Sequence, residues 1–150
     1  TPSKIGVSTG IIIKKLCAID IDYELVNYKS AQLSSSNVSD FAGVNAVIKS
    51  KYAFASNLKA GVEFNLKPVM LRAGYNMQGS PFGNNFNGSF VRQTISLGLG
   101  FRTKNNVFFD FVWYKNFTGE DYYMFSTINQ RSKINYSSAM LAATIGIKFN

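Results

Sequence analysis

Histidine is absent from this chain, and cysteine occurs once, at Cys17. These absences exclude a disulfide framework within the chain, a Cys/His zinc site and every histidine-based catalytic triad. Charge is also scarce, at 16% of the 150 residues, against roughly 25% in ordinary soluble domains. No run approaches the ~18 consecutive apolar residues of a transmembrane helix. Lysine and arginine outnumber aspartate and glutamate 16 to 8, giving a net charge of +8. The basic residues never form a dense run, which argues against nucleic acid as a partner. Cys17 is expected to be a small apolar wall residue. Neither an initiator Met nor a charged-then-apolar leader precedes Thr1-Pro2, so a processed or partial chain is expected.

What the sequence does hold is alternation. Hydrophobic residues make up 46% and aromatics 15% of the chain. In the segment RQTISLGLGFR (92 to 102), Ile95, Leu97, Leu99 and Phe101 alternate with Thr94, Ser96, Gly98, Gly100 and Arg102. A period of two over about ten residues marks a strand with two opposite faces, at the length that crosses a bilayer obliquely. The same pattern predicts strands over 3–13, 17–28, 54–66, 69–78, 92–102, 107–115 and 138–149. Segment 41 to 51 is expected to form a short helix. The connections alternate between short (14–16, 67–68, 103–106) and long (29–53, 79–91, 116–137), as in outer-membrane barrels.

No charge interrupts the apolar row of any strand. The opposite face carries Lys4, Asp20, Asp22, Glu24, Lys59, Glu63, Arg72, Arg92, Arg102, Asp110 and Lys148. A turn at Lys67-Pro68 that pairs Leu66 with Val69 sets Glu63 opposite Arg72, where an ion pair is expected. Three features favour lipid on the apolar face: aromatics near both ends of its rows, too many bulky side chains for a small cavity, and a final alternating strand with Phe149 beside the terminus. The expected girdle is Phe64, Tyr75, Phe101, Trp113 and Phe149. The fold class expected is all-β, an antiparallel transmembrane β-barrel with about seven strands in one partial domain over 1–150.

Six segments together resemble the FadL/TodX family of outer-membrane transporters. They are IDIDYELVNY (19 to 28), GVEFNLKPVMLRAGYNMQGSPF (61 to 82), RQTISLGLGFR (92 to 102), VFFDFVWY (107 to 114), EDYYMF (120 to 125) and TIGIKF (144 to 149). The set is most similar to the Bacteroidota-type branch often labelled hemin receptors. The resemblance implies that the chain corresponds to the C-terminal half of a fourteen-stranded barrel whose first half carries a hatch. Asn150 after Phe149 departs from relatives that end on the aromatic. The resemblance also implies a bacterial outer-membrane location, passive uptake of hydrophobic small molecules such as fatty acids or aromatic hydrocarbons, and neither catalysis nor a cofactor. Its implied partners are outer-membrane lipid and lipopolysaccharide, the hydrophobic ligand and the barrel-assembly machinery.

The apolar path that such uptake needs is sought on the inward face. Val26, Tyr28, Val112, Tyr114 and Met140 sit toward the long-loop end with Phe117 just beyond, and Arg92 is the candidate for a carboxylate head group. The plainer reading is that the apolar members pack against a plug or one another. Asp20, Asp22, Glu24, Lys59, Glu63, Arg72, Arg102 and Asp110 are expected to form a lumen ion-pair network rather than a cation or catalytic site. Lys29, Lys49, Lys51, Lys115 and Arg131 near the outer rim suit anionic lipopolysaccharide or simple solvation. The Asn-X-Ser/Thr triplets at Asn37, Asn87, Asn116 and Asn135 are incidental in a bacterial barrel. Two other classes stand beside transport: a structural or adhesion-type outer-membrane barrel, and a soluble lipocalin-like carrier with its apolar rows around a cavity.

Overall fold

The structure, a computed structural model, describes residues 1–37, 40–83, 90–103, 107–123 and 131–147, with the side chains of 121–123 and 131 left aside. Its strands are β1 (Ser3–Ile13), β2 (Cys17–Asn27), β3 (Phe54–Leu66), β4 (Val69–Gln78), β5 (Phe90–Arg102), β6 (Val107–Tyr123) and β7 (Arg131–Ile147). They form a single sheet in chain order, every neighbouring pair antiparallel. The chain is therefore all-β, a seven-stranded meander. β1 and β7 are not hydrogen-bonded to each other, so the sheet is open at both edges.

Register follows from the turns. Leu66 pairs with Val69 across Lys67-Pro68, which sets Glu63 against Arg72 and Phe64 against Leu71. The β1–β2 turn closes with the Leu16 N–H donating to the Ile13 carbonyl at 2.9 Å. Helix α1 (Ala42–Lys51) lies inside the β2–β3 connection, where the sequence predicts a short helix to within a residue. That connection lies against the β4–β5 connection: Ala53 N–H donates to Pro81 at 2.9 Å, and Tyr52 bridges to Phe82 with ring centroids 5.4 Å apart.

One expectation needs correction. Segments 116–123 and 131–137 are not loop but ladder, because β6 and β7 stay paired from Val107↔Ile147 out to Tyr123↔Arg131. The sequence hides this extension because neither face is consistently apolar there; backbone pairing continues after the hydrophobic period has stopped. Phe117 accordingly lies on β6 among the odd positions, on the face of Trp113 and away from Val112 and Tyr114.

Alternation puts one apolar row after another across the sheet. The row Ile11–Ile19–Val62–Ala73–Leu97–Trp113–Leu141 crosses all seven strands without a polar residue. A core hardly exists: among the described residues the buried hydrophobics are Val26 and Ala55, at 5% and 2% exposure. Leu97 remains 52% exposed and Leu141 73%. Seven strands about 4.8 Å apart, with apolar positions over about 20 Å of strand, make a patch on the order of 700 Å². That exceeds the roughly 300–600 Å² of the largest patch on a typical soluble monomer. Covering it is worth on the order of 15–20 kcal/mol at about 25 cal/mol per Å². No helix among the described residues is long and apolar enough to cross a membrane.

Candidate functional site

The face opposite the apolar rows carries the chain's organised polar chemistry. At its centre is Arg72 on β4, which reaches in both directions. Its Nε donates to Glu63 Oε2 on β3 at 2.5 Å, and its Nη1 donates to Asp110 Oδ1 on β6 at 2.9 Å. Its Nη2 also lies 3.5 Å from Met70 Sδ. Only a planar guanidinium with several donors serves such divergent partners, which lysine's single point charge does not.

Glu63 is the register partner of Arg72, but Asp110 is two strands away, with β5 between. β5 lets Arg72 cross because it presents Gly98 and Gly100 on this face. A Cβ at Gly100 would stand 2.7 Å from Asp110 Oδ1 and 3.2 Å from the Cβ of Met70. The two glycines are thus the floor over which the ion pair forms. Asp110 also accepts from Arg102 Nη1, at 3.1 and 3.0 Å to its two oxygens. Arg102 in turn lies 4.7 Å from the Phe108 ring centroid, a cation–π contact.

The expected network is present but not continuous. Glu63, Arg72, Asp110 and Arg102 form one cluster. Glu24 forms another with Lys4, at 3.5 Å, and Asn57, whose Nδ2 donates at 3.0 Å. Asp20, Asp22 and Lys59 share the face, Lys59 opposite Asp22, yet make no ion pair within 4 Å among the described residues. On the last three strands of the same face runs a hydrogen-bonded row: Thr94 Oγ1 donates to Asn116 Oδ1 at 2.7 Å, and Asn116 Nδ2 to Ser138 Oγ at 3.3 Å. No group of three or more metal-ligating His, Cys, Asp or Glu side chains assembles among the described residues.

The ligand candidates are not brought into one cluster. Val112, Tyr114 and Met140 are neighbours on β6 and β7, with the Tyr114 hydroxyl donating to Met140 Sδ at 3.1 Å. Val26 lies on β2 beside Ala55, four strand spacings and roughly 19 Å away along the sheet. Tyr28 opens the one-turn 3₁₀ helix after β2, its N–H bonded to Ala53 O at 3.1 Å. Arg92 sits opposite Gln78 and Thr118, its guanidinium 5.8 Å from the Phe90 ring. Of the girdle residues, Phe64, Tyr75, Phe101 and Trp113 all lie on the apolar face. Phe149 and Lys148 fall outside the described residues, as do the whole triplet at Asn87 and parts of the triplet at Asn37 and of the segment 120 to 125. Sequence reading missed the second arm of Arg72; its signal was the pair Gly98 and Gly100, placed between two charged strands.

No protein-family profile, no curated protein and no solved structure matches the chain.

Proposed function

We propose that the chain is part of the wall of an outer-membrane β-barrel through which hydrophobic small molecules pass passively. The observation that carries this reading is the division of the sheet into two chemistries: apolar rows exposed across seven strands on one face, and charged and hydrogen-bonded rows on the other. A soluble protein would have to cover a patch of this size, and among the described residues nothing in the chain does. Lipid covers it without further protein. The open edges β1 and β7 fit this reading if further strands complete the barrel, because unpaired strand edges are not tolerated in hydrocarbon.

Transport, rather than adhesion, is supported by the inward apolar group Val112, Tyr114 and Met140 and by the order of segments that resembles the FadL/TodX family. Hydrophobic molecules partition poorly into a water-filled pore, so a route lined in part by apolar side chains is needed. Catalysis has no place in this reading. Uptake of a labelled fatty acid or aromatic hydrocarbon by cells with and without the intact protein tests it. Faster uptake with the protein is expected, slowed again by Tyr114→Asp or Met140→Asp; equal uptake in all strains would leave adhesion or structure as the role.

A further inference from the structure

Beyond the apolar rows, the outward end of that same face changes character. Ile95, Lys115 and Ala139 are cross-strand neighbours, and the next rows are Gln93–Phe117–Ser137 and Val91–Gly119–Asn135. A hollow of about 550 Å³ opens beyond Ile95, Lys115 and Ala139, lined among others by Val91, Gln93, Phe117, Gly119, Lys133 and Asn135. Gly119 leaves its floor open: a Cβ placed there has Asn135 Oδ1, at 3.7 Å, as its nearest neighbour. Phe117 forms one side, with Lys115 Nζ 5.0 Å from its ring centroid. Neither Lys115 nor Lys133 has an ion pair within 4 Å among the described residues. Asp121 is the backbone register partner of Lys133.

We infer that this hollow binds the phosphorylated headgroup of an anionic glycolipid, with the acyl chains lying along the apolar rows. The inference rests on the membrane reading above and names a ligand site on its outer face. Three properties single out this occupant. The hollow is continuous with the apolar band and begins where that band ends, the level at which a headgroup meets a barrel wall. Lys133 in the lining and Lys115 beside Phe117 at its edge supply charge for phosphate, and Gln93, Asn135 and Ser137 supply donors and acceptors for sugar hydroxyls. Its volume lies in the roughly 300–1,000 Å³ range of small-molecule sites, large enough for a sugar phosphate.

The test is native mass spectrometry of the intact protein, with the strands that complete the barrel, in detergent micelles, titrated with a phosphorylated glycolipid, its dephosphorylated form, phosphatidylcholine and inorganic phosphate. One phosphorylated glycolipid per chain is expected, with Lys133→Gln and Lys115→Gln each weakening it about fivefold. Gly119→Leu fills the floor and abolishes the adduct, whereas Gly119→Ala fits and keeps it, which separates occlusion from misfolding. Equal retention of the dephosphorylated lipid, displacement by inorganic phosphate at the concentration of the lipid, or indifference to Gly119→Leu would overturn the inference. Flotation with neutral phosphatidylcholine vesicles separates the two layers of argument. A chain that floats but shows no preference for phosphorylated lipid defeats this site alone, and one that floats with no vesicle defeats the membrane reading and this site with it.

Discussion

Lys14 and Lys15 both hold left-handed backbone conformations, with φ of 48° and 56°. The β1–β2 turn needs this, since consecutive positive φ values match the right-handed twist of the strands it joins. For residues with a Cβ the conformation costs roughly 1–2 kcal/mol each, and Asn-Gly is the pair that meets it best. The double substitution Lys14→Asn with Lys15→Gly is therefore expected to stabilise the detergent-folded chain by about 1–2 kcal/mol, read as a higher urea midpoint at unchanged slope. At Asp110 the sign reverses. Asp110→Asn leaves Arg102 without its carboxylate and Arg72 with only Glu63, and is expected to cost about 1–2 kcal/mol at this partly buried site. In a double-mutant cycle with Arg102→Gln the two losses should not add; additive losses would show that the pair is not coupled.

At the scale of strands, legibility depended on whether a residue's neighbours were local. Glu63–Arg72 was readable by counting back from Lys67-Pro68, because one turn fixes the whole β3–β4 register. Arg72–Asp110 was not, because it spans β5 and depends on what Gly98 and Gly100 leave out. The first four strands were readable to within a residue because their apolar positions run to their ends. The outer halves of β6 and β7 were not, since Lys115, Gly119, Lys133 and Asn135 interrupt the period where pairing continues. A direct test of the two faces uses adjacent residues of β5. Leu97→Lys places charge in the middle of an apolar row and is expected to cost roughly 2–4 kcal/mol in lipid, while Ser96→Lys, on the polar face, should cost much less. Equal losses in denaturant titrations from bilayers would abolish the assignment of faces, and a larger loss at Ser96 would exchange it.

For the molecule as a whole, charge and hydrophobicity are partitioned differently. On the polar face of the described strands Lys4, Lys59, Arg72, Arg92 and Arg102 meet Asp20, Asp22, Glu24, Glu63, Asp110 and Glu120, five basic against six acidic, so the net charge of +8 resides outside that wall. The hydrophobicity has no such balance and lies on one face. Trp113, the single tryptophan, is on that face between Leu97 and Leu141, and reports on what covers it. In a membrane barrel its fluorescence should be quenched by phospholipids brominated on their acyl chains and protected from a water-soluble quencher. In a lipocalin-like fold the ring would face a protein cavity, and brominated lipid would have no effect. The position of the bromine adds depth: strongest quenching by bromines nearest the headgroup would place Trp113 in an interfacial girdle. Strongest quenching by bromines far down the chain would place it instead with its register neighbours Val62, Ala73 and Leu97, in the middle of the apolar band.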